Sequence, residues 1–224
     1  MSKILVIVAH PDDEILGLGA TIKKFSQEGH EINCIILGEG ITSREEREYE
    51  NKIKNLHANT FKAAREIGYQ QVIFSNLPDN RFDRIDLLDI IKEIEKYIEI
   101  LKPDIIYTHH EGDLNIDHRK TYEAVLTACR PIGEYSVKEI YTFETPSSTE
   151  WNFSTLGTEF VPNVFVDIKH TFQDKLKAMS YYTSEIRDYP HPRSLEALEI
   201  IAKRWGTVVG KHYVEAFKLI RKID

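Results

Sequence analysis

The stretch K-I-L-V-I-V-A-H-P-D-D-E-I-L-G-L-G, Lys3 to Gly19, decides the fold. Its first six residues, Lys3 to Val8, are dominated by Ile, Leu and Val and carry almost no charge. Such a short β-branched run reads as a strand buried on both faces. Four polar groups follow at once, His10, Asp12, Asp13 and Glu14, with Pro11 fixing its own φ among them. Helical spacing then sets in at Ile15, Leu18 and Ile22, predicting a helix from Glu14 to Gln27 that ends near Gly29. A strand that runs into a helix puts its junction at the carboxyl edge of a sheet, where open α/β folds keep their sites.

Two readings of the polar cluster are open at this point. In the first, Asp12 or Asp13 caps the helix, Glu14 favours its first turn, and His10 is a loop residue. In the second, His10 and Asp13 offer an imidazole nitrogen and a carboxylate oxygen to one metal ion, with Asp12 free beside it.

The rest of the chain repeats the strand–helix alternation. Ile32–Leu37 reads as a second strand. Ser43–Ile67 reads as one long helix or as a loop followed by a shorter helix, stopped by Gly68. Gln71–Phe74 is a short strand, and Leu87–Leu101 is the clearest helix, with Leu87, Leu88, Ile91, Ile94 and Ile98 on one stripe. A strand at Ile105–Thr108 completes a βαβαβαβ pattern. That pattern predicts a mostly parallel, Rossmann-like sheet in a three-layer α/β/α single domain spanning residues 1–224. C-terminal additions follow: strands at Ile140–Phe143 and Val164–Ile168, helices at Thr171–Tyr182 and Ser194–Lys203, and a final strand in G-K-H-Y-V-E-A-F.

Composition narrows the function classes. The chain has 224 residues, 42% hydrophobic and 29% charged, which is the balance of a folded globular protein. The net charge of −7, with dispersed Lys and Arg, argues against a nucleic-acid partner. Cys34 and Cys129 have neither CxxC nor Cys/His metal spacing. Core sequence starts at Lys3 with no leader ahead of it, and no run approaches a membrane span, so the expected location is the cytoplasm.

A second dense polar cluster, H-H-E-G-D-L-N-I-D-H-R, His109 to Arg119, sits at the end of the fourth strand. Its metal-capable groups are His109, His110, Asp113, Asp117 and His118. A doubly wound sheet brings such strand ends together along one edge. Two His/Asp clusters after two buried strands favour the metal reading over a solvated loop. A dinucleotide oxidoreductase on this fold lacks support, because the first turn is A-H-P-D-D-E and not G-x-G-x-x-G.

A-H-P-D-D-E after an N-terminal strand resembles the signature of the LmbE-like, or PIG-L, family of zinc-dependent N-acetylglucosaminyl deacetylases. The resemblance implies a Zn²⁺ cofactor held by His10 and Asp13, with Asp12 as general base. The Asp-His that closes the second cluster implies His118 as third ligand and Asp117 as the group orienting its neighbours. The loop L-P-D-N, Leu77 to Asn80, resembles the family's substrate loop and makes Asp79 a candidate for sugar hydroxyls; His110 is a further candidate substrate contact. Ile200–Phe217 resembles the family's C-terminal block. Two departures stand out. Asn115 occupies the place of a histidine assigned to polarise the substrate carbonyl, and an amide cannot transfer a proton. Leu56 occupies the register of a family arginine, for which Arg44 or His57 can substitute. His191, between Pro190 and Pro192, is the candidate replacement acid.

The implied activity is hydrolysis of the N-acetyl group of an amino sugar or sugar conjugate, with a small-molecule substrate and a homo-oligomeric assembly. Alternatives are a metal-binding relative without activity, or an amidase acting on another N-acyl or thiol conjugate.

Overall fold

The computed structural model describes residues 1–40, 49–133, 135–153 and 157–224. Seven strands form one sheet in the order β3-β2-β1-β4-β5-β7-β6. They are β1 (Lys3–Val8), β2 (Glu31–Gly38), β3 (Gln71–Leu77), β4 (Ile105–His109), β5 (Glu139–Phe143), β6 (Val164–Asp167) and β7 (Val214–Lys222). Strands β1 to β5 pair in parallel, while β7 runs antiparallel to both β5 and β6. The order of the first five strands reverses between β1 and β4. That reversal is the switch point at which open α/β sheets leave a crevice for ligands.

The helices are α1 (Asp13–Leu16), α2 (Gly19–Gln27), α3 (Tyr49–Ile67), α4 (Leu87–Leu101), α5 (Ile116–Ala128), α6 (Phe172–Ser180) and α7 (Leu195–Val209). Side chains alternate across a strand, and β1 shows what this does to the layers. Ile4, Val6 and Val8 pack with Ile22 of α2, Ala63 and Ala64 of α3, and Met179 of α6. Leu5 and Ile7 face the other way, onto Ile90 and Ile94 of α4 and Val125 of α5. Both faces of the sheet are therefore covered, as a three-layer α/β/α architecture requires. Burying one such aliphatic side chain is worth about 1.5–3 kcal/mol.

Three elements differ from the sequence reading for physical reasons. The helix expected over Glu14–Gln27 is broken after Leu16. A Cβ on Gly17 would lie 2.2 Å from the Phe143 ring, so β5 and this turn can approach only through glycine. The backbone groups freed by the break find distant partners. Lys175 Nζ donates to Leu16 O at 2.7 Å, and Glu215 Oε2 accepts from Thr21 N at 2.7 Å. Lys175 and Glu215 pair with each other at 2.6 Å, so neither buried charge is left alone. Helix α7 runs past the expected Lys203 to Val209, through Gly206. A Cβ there would meet Lys211 O at 2.5 Å, so this glycine admits the returning chain instead of stopping the helix. Strand β3 extends to Leu77, past the expected Phe74, with a register irregularity opposite Ile36 and Gly38.

Cys34 and Cys129 are free and buried. Among the described residues no helix is long and apolar enough to cross a membrane.

Candidate active site

The carboxyl ends of β1 and β4 lie side by side, and both polar clusters emerge there. Ala9 N donates to His109 Nε2 at 2.9 Å, which stitches the first cluster to the second. His10 follows Ala9, and its backbone N–H donates to Asp13 Oδ2 at 2.9 Å across the Pro11–Asp12 turn. That bond tightens the turn and swings the Asp13 carboxylate beneath the His10 ring. Helix α5 contributes His118 from its first turn.

Three donor atoms converge. His118 Nε2 lies 3.3 Å from His10 Nδ1, and each lies close to Asp13 Oδ2, at 3.4 Å and 3.5 Å respectively. A tetrahedral ion with bonds of about 2.0–2.1 Å needs ligand–ligand edges of about 3.3–3.4 Å. The triangle therefore fits one such ion without rearrangement, and the same three residues form a group able to hold a metal. Asp13 Oδ1 is buried with no hydrogen-bond partner, a costly state for a carboxylate oxygen that an adjacent cation offsets.

The opposite nitrogen of each ring is also occupied. His10 Nε2 faces Asp117 Oδ2 at 3.0 Å and Asp79 Oδ1 at 3.1 Å. Because carboxylates only accept, the neutral ring carries its proton on Nε2 and presents the Nδ1 lone pair to the triangle. His118 Nδ1 lies 3.1 Å from Asp113 Oδ1, an ion-pair contact that lacks hydrogen-bond geometry. Asp113 itself accepts from Thr149 Oγ1 at 2.6 Å, from Asn115 N at 2.8 Å and from the Ser148 hydroxyl. Asp117 accepts from Asn80 N at 2.6 Å and Phe82 N at 3.0 Å, holding the loop after β3 against His10.

These contacts favour the charged rings when no metal is bound, so binding a cation would displace the ring protons. Burial lowers His118, but Asp13 and Asp113 outweigh it and push the imidazole up to about 9. Burial likewise opposes protonation of His10, and Asp117, Asp13 and Asp79 raise it nonetheless. Burial would raise Asp13, yet His118, His109 and His10 hold it well below the usual carboxylate range.

Asp12 is separate from the triangle. It sits at the N-cap position of α1 with φ 106°, and its side chain makes no cap hydrogen bond. The capping role considered for it is therefore not the one it has. Its carboxylate meets Arg193 Nη1 at 2.9 Å at the wall of a cavity of about 140 Å³. Burial pushes the Asp12 carboxyl well above its ordinary value, with the Arg193 guanidinium pulling the other way and Asp13, Glu185 and Glu14 reinforcing burial. A carboxylate of raised basicity beside a metal-competent triangle is suited to take and return a proton.

The cavity is lined by His10, Asp12, Asp79, Asn80, Asn115 and Arg193, with Glu185 at its side. Asn115 caps α5: its Oδ1 accepts from Asp117 N at 2.8 Å and its Nδ2 donates to Asn80 Oδ1 at 3.2 Å.

Two expected site residues are elsewhere. His191 does not line the cavity; its ring stands edge-on to Trp151, and its Nδ1 accepts from Arg193 N at 3.1 Å. Burial, with Arg193 and Arg187 beside it, lowers its pKa, the wrong direction for a proton-donating imidazolium. The proline-flanked segment does fold over the sheet edge, but it delivers Arg193. His110 does not line the cavity either. It is fully buried, with Nε2 2.9 Å from Thr158 O and its ring against Phe160. Arg44 lies outside the described residues. His57 stacks on Phe74 at 3.8 Å between ring centroids.

His109 is metal-capable by type but already engaged. The Ala9 N–H on Nε2 places its proton on Nδ1, 3.1 Å from Thr145 Oγ1, and burial with the neighbouring His118 lowers its pKa to about 4. Its ring stacks on His118 at 3.9 Å and 8°, fixing that ring's plane. Arg193, Asn80 and Glu185 are the cavity residues that the sequence reading missed. A signal for Arg193 was present, because Ser194 after it caps α7 by accepting from Ala197 N at 3.0 Å. A residue just ahead of a helix start, in a proline-stiffened loop, is well held.

Residues 5–129 match the PIG-L family, described as GlcNAc-PI de-N-acetylase, and the chain belongs to that family. The match spans both polar clusters and stops short of Arg193. The chain is 33% identical to the uncharacterized deacetylase YaiS of Escherichia coli K12 over 189 residues, 81% of this chain and 90% of that protein. It is 26% identical to the diacetylchitobiose deacetylase of Thermococcus kodakarensis, covering 98% of this chain and 84% of the relative. Among solved structures, the conserved protein TT1542 of Thermus thermophilus superposes with a TM-score of 0.80 at 21% identity, covering 100% of this chain and 97% of that one. These relatives agree with the mostly parallel α/β fold and with a deacetylase class.

Proposed function

We propose that this chain is a zinc-dependent hydrolase that removes the N-acetyl group from an amino sugar or sugar conjugate. The observation that carries the reading is the His10–Asp13–His118 triangle with tetrahedral edges, beside a buried carboxylate, Asp12, that belongs to the cavity wall and not to the triangle. Kinship with deacetylases, one of them named for diacetylchitobiose, supports the substrate class.

Imidazole and carboxylate donors suit zinc, and three protein ligands leave a fourth position open. Bound there, zinc would supply Lewis-acid activation of water and of the amide carbonyl. Asp12 takes the proton of the attacking water. The scissile C–N bond then breaks, Asp12 returns that proton to the departing nitrogen, and acetate and a free amine leave. With His191 outside the cavity, Asp12 serves as both base and acid. Arg193 orients its carboxylate. Asn115 offers its remaining Nδ2–H to the developing oxyanion, the scale of one such donor being about 2.7–4 kcal/mol. Asp79 and Asn80 line the side where sugar hydroxyls would bind.

The test is acetate release from N-acetylglucosamine, diacetylchitobiose and N-acetylated nucleotide sugars by zinc-loaded protein. Release from at least one of these is expected. No release from any of them, with zinc bound stoichiometrically, would refute the reading.

A further inference from the structure

Asp12 is held in a backbone conformation that a non-glycine residue seldom adopts. Its φ of 106° places it at an N-cap position without the extended backbone that N-caps usually have. Strained residues persist where their surroundings over-determine them, and they cluster at functional sites. Here the surroundings are specific. Glu14 Oε2 accepts from Asp12 N at 2.9 Å, while Glu14 Oε1 accepts from the Tyr182 hydroxyl of α6. The Tyr69 hydroxyl donates to Glu14 O at 3.2 Å. Glu14 is fully buried, as is Tyr182. An apolar residue would fill that position at lower desolvation cost, so a carboxylate there needs a use.

We propose that Glu14, anchored by Tyr182, is a positioning residue that latches the Asp12 amide and so aims the Asp12 carboxylate into the cavity. The latch explains three facts together. The Asp12 side chain is free of helix capping, its backbone is strained, and its carboxylate reaches Arg193 at the cavity wall. A glutamate bonding the N-cap N–H is one half of a capping box; here it comes from the second helical position and the Asp12 side chain does not reciprocate. The proposal rests on Asp12 being the base of the deacetylation proposed above.

The experiment compares wild type with Glu14→Gln, Glu14→Leu and Tyr182→Phe, each zinc-loaded, on diacetylchitobiose or whichever N-acetyl sugar wild type hydrolyses. Zinc content, KM and kcat are read on the same samples, and crystal structures report Asp12 φ. Glu14→Leu should lose about 10²-fold in kcat, the scale of a misplaced reacting group, with zinc stoichiometry and KM unchanged. Glu14→Gln should recover most of kcat, because its amide oxygen still accepts from Asp12 N. Should Glu14→Leu fail to fold, Tyr182→Phe carries the test with a smaller kcat loss at full zinc content. Normal kcat per bound zinc in Glu14→Leu, or in Tyr182→Phe where that variant stands in, would overturn the latch. If wild type hydrolyses nothing, the deacetylase reading fails separately. The latch then stands if Asp12 leaves positive φ in Glu14→Leu and falls if it does not.

Discussion

The segments after β1 and β4 are both dense in histidines and carboxylates, yet they do different work. After β1, the polar side chains His10, Asp12 and Asp13 turn toward one small volume. After β4, His118 reaches the triangle and Asn115 the cavity wall, while the other polar groups serve mainly as supports. His109 props His118 and accepts from Ala9, Asp113 and Asp117 orient the two ring nitrogens that face away from the triangle, Asn115 caps α5, and His110 points out of the site altogether. The density of metal-capable residues is thus a poor guide to ligation. What decides is which lone pairs are already used. A ring nitrogen that accepts a backbone N–H is no longer a donor for a metal, and a carboxylate filled by three hydrogen bonds has become a strut.

This contrast can be broken most severely at the triangle. His10→Ala and His118→Ala should each lose stoichiometric zinc and with it acetate release, as elemental analysis and activity on the same preparations would show. Zinc retained in full by both would mean the ligands lie elsewhere. The next largest effect concerns the loop that closes the site. Arg193→Ala should lower kcat by about 10²-fold through loss of Asp12 orientation while zinc stays bound. His191→Ala should keep kcat within about twofold of wild type, although it lies only two residues away. A reversed ranking would restore His191 as the acid.

The struts should show a smaller, graded effect. Asp113→Asn and Asp117→Asn should weaken zinc binding by about 10- to 100-fold, the range for residues that orient a metal's ligands, measured by competition with a chromogenic chelator. Unchanged affinity in both would mean the His rings are fixed by packing alone. Smallest for function is His110→Phe. It should cost about 1–3 kcal/mol in urea unfolding, because the buried His110 Nε2–Thr158 O hydrogen bond is lost, and it should leave kcat and zinc affinity unaltered. A large kcat loss there would return His110 to the site.

Much of this molecule was legible in advance, and the illegible parts share a cause. The stripe of Leu87, Ile91, Ile94 and Ile98 gave helix α4 to the residue, and the apolar run Lys3–Val8 gave β1, because both signals are local and periodic. The convergence of the two clusters followed from parallel topology. The break after Leu16 did not, because it depends on Phe143, Lys175 and Glu215, all more than a hundred residues away. His109 and His110 were indistinguishable as letters. Their roles are set by Ala9 N and Thr158 O, which no spacing rule reveals. His191 reads as a candidate acid because prolines flank it and an imidazole titrates near neutrality, while titration does not single out Arg193. That is a property of the residue type, whereas reach into the cavity is a property of the fold.

The central claim is that Asp12 acts beside the metal triangle without belonging to it. The most direct test measures zinc content and kcat together on wild type and Asp12→Asn. The account predicts one zinc per chain in both proteins, with kcat in the variant lower by about 10²- to 10⁴-fold, the usual contribution of a general base. A variant that keeps both its zinc and near-normal turnover would contradict the account, as would one whose activity falls only in proportion to zinc lost.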